Sequence, residues 1–222
     1  MNRIIGILAA ILIGQLFTAI GLAGASSQAE GITSHSSYPT AYEEDPRRLE
    51  WQKTDKVLNH LLLKQGDVVA DIGAGTGYFS RLFAQRVGKN GLVYAVDVDE
   101  SMVQYLGKRA KKEGLDNIKS IHAPPNDPLL PKSSVDLVFI CDTYMFIENR
   151  EEYLSHVRDS LKNGGRLAII SFNRKAEIPA APPPVKMISR EKTILEAEKA
   201  GFALEAIYFF LPYQDFMVFV KR

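Results

Sequence analysis

The stretch VVADIGAGTGYFS, residues 68–80, decides how the rest of the chain reads. Four apolar residues and a carboxylate, Val68-Val69-Ala70-Asp71-Ile72, have the length and β-branched character of a buried strand. The turn that follows, Gly73-Ala74-Gly75-Thr76-Gly77, places a glycine at every second position. Glycines at a strand-to-helix turn let the backbone bend sharply and approach a ligand with no Cβ in between. Tyr78–Val87 then carries a helical pattern that stops at Gly88.

Downstream the pattern alternates. A strand over Leu92–Val96 ends in Asp97, and a helix from Ser101 to Glu113 stops at Gly114. Ile118–His122 is a short strand and Val135–Cys141 a continuous apolar one. Asn149 is placed to cap a helix that runs to Lys162. Asn163-Gly164-Gly165 turns into a strand over Arg166–Ser171, and Ser189 caps a last helix ended by Gly201. Strands separated by helices imply parallel crossovers and a sheet covered on both faces. The end differs: Phe202–Leu211 and Tyr213–Val220 are joined only by a tight turn at Pro212 and must pair antiparallel. The expected fold is α/β, a Rossmann-like doubly wound seven-stranded sheet of five parallel strands plus a C-terminal antiparallel hairpin.

Working outward to the amino terminus, Asp45-Pro46 has the form of a helix start, with Leu49, Val57, Leu58, Leu61 and Leu62 as one apolar face. Residues 26–42 are small and polar and read as a flexible linker. Residues 4–24 contain no charged side chain and follow Met1-Asn2-Arg3. Residues 1–25 therefore read as a signal peptide, with Ala23-Gly24-Ala25 or Ser27-Gln28-Ala29 as cleavage sites, or as an uncleaved membrane anchor. The first would export the domain, residues 43–222, to the periplasm or the outside. The second would tether it to a membrane through residues 4–24.

Composition narrows the chemistry. The 222 residues carry 27 basic and 26 acidic side chains, without the basic excess that phosphate-backbone binding requires, so nucleic acid is not the expected partner. The cluster Gly107-Lys108-Arg109-Ala110-Lys111-Lys112 reads as a solvated helix face. One cysteine, Cys141, and four scattered histidines offer no metal-ligand spacing, and no metal is expected.

Asp97 lies 20 residues after Gly77 at the end of the second strand, where a carboxylate can accept both hydroxyls of a ribose. A nicotinamide fingerprint would place its third glycine at position 78, which is Tyr78. Asp71 would also stand beside the pyrophosphate. A carboxylate there suits a cofactor with an ammonium and no phosphate, so S-adenosylmethionine is favoured over a dinucleotide.

At these residues the chain resembles the class I S-adenosylmethionine-dependent methyltransferases. VVADIGAGTGYFS (68–80) is similar to the family's first motif and VYAVDVDESMV (93–103) to its second. VDLVFICDTY (135–144) is similar to the fourth-strand motif, and LKNGGRLAII (161–170) to the fifth. The resemblance implies that Asp71, Gly73, Gly75 and Gly77 hold the methionine part of the cofactor. It further implies that Asp97 takes the ribose, that Val98 and Met102 pack on adenine, and that Asn126 or Asp127 meets the adenine amino group. The run Asp45–Lys53 resembles one in a subgroup of exported small methyltransferase-like proteins. In that subgroup the fourth-strand motif continues with paired histidines, where this chain has Met145 and Phe146.

Methyl transfer leaves a neutral thioether, so positioning can supply much of the rate, and a base matters only if the acceptor must lose a proton. Asp142 is the first candidate for that base or for acceptor binding, and Tyr144 the candidate to orient the acceptor. Cys141 reads as a small buried residue more readily than as a nucleophile. Trp51 reads as a lid or core aromatic, with a pocket wall as the sharper alternative. Asn173–Arg190, with Pro179 and Pro182-Pro183-Pro184, is expected to form the acceptor-side loop, and a small-molecule acceptor is expected. The alternative is a catalytically silent protein that binds S-adenosylmethionine on the same scaffold.

Overall fold

The computed structural model describes residues 48–173 and 186–222, all within one compact unit, Ser34–Arg222. The expected leader (1–25) and linker (26–42), the helix start at Asp45-Pro46 and the prolines Pro179 and Pro182-Pro183-Pro184 lie outside the described residues. Among the described residues, no helix is long and apolar enough to cross a membrane.

Two short helices come first, α1 (Arg48–Gln52) and α2 (Thr54–His60). The single helix expected here is broken at Lys53, whose φ of 46° lies in the left-handed region. The break turns Leu49 outward, so α2 and not α1 supplies the buried apolar side chains Val57 and Leu58. Next come β1 (Val68–Ile72), α3 (Tyr78–Val87), β2 (Leu92–Asp97) and α4 (Glu100–Lys112). β3 (Ile118–His122), β4 (Val135–Cys141) and a 3-10 turn at Tyr144–Phe146 lead to α5 (Arg150–Ser160). The chain closes with β5 (Leu161–Phe172), α6 (Arg190–Lys199), β6 (Phe202–Tyr208) and β7 (Gln214–Lys221).

The seven strands form one sheet in the order β3-β2-β1-β4-β5-β7-β6. β1 to β5 pair in parallel, and β7 pairs antiparallel with both β5 and β6. The expected architecture is present. Two local differences have physical causes. β5 begins at Leu161, and its pairing with β4 jumps from Val135↔Leu161 to Leu137↔Arg166, so Asn163-Gly164-Gly165 bulges out of the ladder and α5 ends at Ser160. Asn149 occupies the cap position of α5 but makes no side-chain cap bond, whereas Ser189 Oγ accepts from Lys192 N at 3.2 Å.

Alternation along the strands feeds two cores. Val69, Leu137, Phe139, Ala168, Ile170, Phe216 and Val218 meet α2 and α3 on one face. Phe139 lies between Phe79 and Phe83, with ring centroids 4.7 and 5.1 Å away. Ala70, Val138, Ile140, Leu167, Ile169, Met217 and Phe219 meet α5 and α6 on the other face. The order of strands reverses between β1 and β4. Ligands of such sheets bind beyond the carboxyl ends of the strands at that reversal.

Candidate cofactor and acceptor site

The turn after β1 is built by its glycines. Gly73, Gly75 and Gly77 have φ of 73°, 54° and 83°, a region that side chains with a Cβ enter only with strain. The N–H groups of Gly73 and Ala74 both donate to the Val96 carbonyl, at 2.8 and 3.0 Å, which ties the turn to the end of β2. A Cβ on Gly73 would stand 2.0 Å from Thr143 Oγ1, and one on Gly77 would stand 2.7 Å from Leu106. The glycines thus admit the segment after β4 on one side and α4 on the other.

Two carboxylates frame the turn. Asp71 is buried and accepts from Ser80 Oγ at 2.6 Å, which links β1 to the first turn of α3. Asp97 accepts from Gly75 N at 2.8 Å on Oδ2 and from Asp99 N at 2.9 Å on Oδ1. Burial raises the Asp97 carboxyl above its ordinary range, against the pull of those N–H groups. The Val98 N–H also bears on it, and a carboxylate with two oxygens has lone pairs left to accept a hydroxyl. Val98 is exposed beyond the end of β2, and Met102 is half-buried on α4. Asp127 is half-buried and Asn126 exposed. The Tyr153 phenol is pushed well above its ordinary range, by burial first and then by the charges of Asp127 and Asp97. Asp127 therefore shares the neighbourhood of Tyr153 and Asp97. A turn with glycine at every second position, a buried carboxylate near the end of β1 and a second carboxylate at the end of β2 fit an ammonium-bearing nucleoside such as S-adenosylmethionine.

A family profile described as a methyltransferase domain matches residues 63–207. A crystal structure of an S-adenosylmethionine-dependent methyltransferase from Aquifex aeolicus is 31% identical, with a TM-score of 0.75 over 80% of this chain and 94% of that one. The chain belongs to the family of S-adenosylmethionine-dependent methyltransferases. Among its relatives, the ubiquinone/menaquinone biosynthesis C-methyltransferase of Hydrogenovibrio crunogenus is 33% identical over 50% of this chain and 44% of its own length. The aklanonic acid methyltransferase of Streptomyces sp. (strain C5) is 33% identical over 53% and 54%. This methyltransferase thus spans about half the length of the curated relatives it matches.

The acceptor-side candidates part company in the methyltransferase. Asp142 follows β4 with a φ of 56°. Strict alternation after Val138 and Ile140 would aim its side chain at the α5–α6 face. The left-handed backbone instead delivers it to the α1 face. There Gln214 Nε2 donates to both carboxylate oxygens at 2.8 Å, and the Cys141 thiol donates to Oδ2 at 3.6 Å. Burial pushes the Asp142 carboxyl up to about 6, with the Arg48 guanidinium and the amide of Gln214 opposing.

Tyr144 is a correction to the expectation from sequence. It is fully buried in the α5–α6 core, and its hydroxyl donates to Glu196 Oε2 at 2.7 Å, so it does not reach an acceptor. Cys141 accepts from Gln52 Nε2 at 3.0 Å, and burial together with Asp142 raises its thiol well above the ordinary value, which keeps it protonated and non-nucleophilic. Trp51 stands 5.7 Å from Phe172 by ring centroids, half-buried at the end of β5.

Sequence reasoning missed Arg48, Gln52 and Gln214. Arg48 is buried with its guanidinium 4.2 Å above the Tyr78 ring, and it donates to Gln52 Oε1. Tyr78 in turn shares a 2.9 Å hydrogen bond with Thr54 Oγ1. The run Asp45–Lys53 marks the first two residues only as part of a resemblance. Gln214 gives no signal, because a polar residue opening a strand reads as a solvated end.

Proposed function

We propose that this methyltransferase moves the methyl group of S-adenosylmethionine to a carbon or oxygen of a small-molecule acceptor, with Asp142 taking the acceptor's proton. The observation that carries this reading is the placement of Asp142. It immediately precedes Thr143, whose side chain occupies the space that Gly73 leaves open at the cofactor turn. Its carboxyl is pushed up to about 6, close to neutrality, where a base combines availability with driving force. The names of the relatives, a quinone-biosynthesis C-methyltransferase and an aklanonic acid methyltransferase, support an acceptor with an acidic O–H or C–H.

When bound, the cofactor supplies a methyl group on a sulfonium and departs as a neutral thioether. Everything else falls to the chain. Asp71 and the glycine turn would hold the amino-acid end, and Asp97 the ribose. Val98 and Met102 would cover adenine beside Asp127. Asp142 would draw the proton from the acceptor as the acceptor's electron pair closes on the methyl carbon. No acid is needed for the leaving group, so a single carboxylate is enough. The expected leader, residues 1–25, rests on composition alone. N-terminal sequencing of the protein from its host tests it, and an intact Met1 in the soluble cytoplasmic fraction overturns both the signal and the anchor.

The test has two stages. Titration calorimetry with S-adenosylmethionine should show binding that Asp97→Ala weakens. Incubation with a panel of quinols and phenolic polyketides should then release S-adenosylhomocysteine in the wild type and far less in Asp142→Asn. Binding without release across a broad metabolite screen would instead mark a silent cofactor-binding protein. Absence of binding overturns the assignment.

A further inference from the structure

We propose that Gln214 is a positioning residue that holds Asp142 as a hydrogen-bond acceptor only, at the end of a one-way chain of donors starting at Arg48. This rests on reading Asp142 as the base. Arg48 Nε donates to Gln52 Oε1, Gln52 Nε2 faces Gln214 Oε1 at 3.5 Å, and Gln214 Nε2 donates to both oxygens of Asp142 at 2.8 Å. Every link points the same way. It must, because a guanidinium has no acceptor atom, and each amide that accepts on its oxygen is left donating from its nitrogen. Gln52 and Gln214 are both almost fully buried, so neither can exchange its partner for water at low cost.

The direction has a chemical consequence. A protonated Asp142 would have to donate its O–H, and Gln214 Nε2 cannot accept it. Protonation therefore costs a hydrogen bond that the ionised form keeps, and the chain opposes the burial that drives the group toward neutrality. The other groups that bear on Asp142 are few among the described residues. α1 brings the Arg48 cation and the Gln52 amide, which also hydrogen-bonds the carboxylate, and both favour the ionised form. β4 brings the Cys141 thiol, itself held protonated. β7 brings only the neutral amide of Gln214, because Asp215 is paired with Arg190 at 2.7 Å. The chain spans α1, the C-terminal hairpin and the end of β4. The hairpin strand β7, which lies two strands from β4, thereby sets the state of a group at the cofactor turn.

The test reads Asp142 directly, in the protein without cofactor or acceptor, by carbon-13 resonances of labelled aspartate across pH. Asp142→Asn assigns the resonance. The wild-type midpoint is expected near 6. Gln214→Met keeps the shape and removes the donors, and should raise the midpoint by about one unit or more. An unchanged midpoint in a variant with a native near-ultraviolet spectrum overturns the proposal. If Gln214→Met does not fold, Gln52→Met serves the same purpose from one link upstream. It also removes the bond that Gln52 itself makes to Asp142, so it should raise the midpoint as well, and no movement there overturns the chain. The outcome is independent of turnover. Should Asp142→Asn retain full methyl transfer with an identified acceptor, the base reading falls while the positioning of Asp142 still stands or falls on its titration.

Discussion

The hydroxyl of Tyr144 lies 2.7 Å from Glu196 Oε2, so a residue one step past Thr143 is turned into the α5–α6 core and away from the glycine turn after β1. Arg150 completes the arrangement, donating from Nε to Oε2 at 2.8 Å and from Nη2 to Oε1 at 3.0 Å. Burial and the Glu196 bond push the Tyr144 phenol far above its ordinary range. It stays a donor. Tyr144→Phe should therefore cost about 1–3 kcal/mol of stability and leave affinity for S-adenosylmethionine unchanged. Urea denaturation alongside calorimetry checks both halves.

Glu196 itself gives a pH signature. Burial alone would raise its carboxyl, but the bonds from Arg150 and Tyr144 outweigh it and leave the group below its ordinary value. A depressed carboxyl contributes stability above the unfolded pKa, and that contribution disappears as pH falls through the folded one. Glu196→Gln should cost about 3–5 kcal/mol at neutral pH, with the deficit shrinking below about pH 4. Denaturant midpoints measured across pH decide this. A deficit that is constant with pH would contradict it.

Gly73 is irreplaceable for two separable reasons. Its φ of 73° disfavours any Cβ, and the Cβ would also strike Thr143 Oγ1 at 2.0 Å. Gly73→Ala should lose about 3 kcal/mol. Thr143→Gly in the same chain removes the collision but not the strain, so the double variant should recover only part of the loss in thermal unfolding.

Asp97 holds the turn and, by the reading above, the ribose. An asparagine presents one acceptor oxygen in place of two, so either Gly75 N–H at 2.8 Å or Asp99 N–H at 2.9 Å loses its partner. Asp97→Asn should weaken S-adenosylmethionine binding about 10–100-fold, as expected for the loss of one or two charge-assisted hydrogen bonds. Calorimetry is the readout.

By the proposed reading, Asp142 trades stability for a usable proton acceptor. Its folded pKa, pushed up to about 6, lies above the ordinary carboxylate value of 3.8. The folded chain binds the proton more tightly, so stability falls as pH rises between these values, by about 3 kcal/mol in all. Asp142→Asn should flatten that interval of the stability profile. With a competent acceptor, the wild-type rate should rise through about pH 6 as the carboxyl ionises. A rate already at its plateau well below that pH would contradict the assignment.

How far the sequence alone reaches differs from residue to residue. Alternating strands and helices, the glycines at 73, 75 and 77 and the carboxylates Asp71 and Asp97 were readable because each is a local requirement. A positive φ needs glycine, a buried strand needs a run of apolar residues, and a strand end holds a carboxylate at a set distance from the turn. The same local reading extended one helix across Lys53 and ended α5 two residues late. Left-handed breaks and bulged pairings leave little trace in hydrophobic period.

What the order of residues determined by itself, then, was the sheet and the glycine turn after β1. Which way Asp142 and Tyr144 face was decided only in three dimensions. They stand two positions apart in sequence and reach opposite sides of the sheet. A left-handed backbone turns one toward Gln214, and a buried ion pair 46 residues apart in the chain draws the other toward Glu196. Side-chain direction past the end of a strand is no longer governed by the pleat. It is set by whichever distant polar partner the packed fold brings within reach, and that partner carries no mark in its own stretch of sequence.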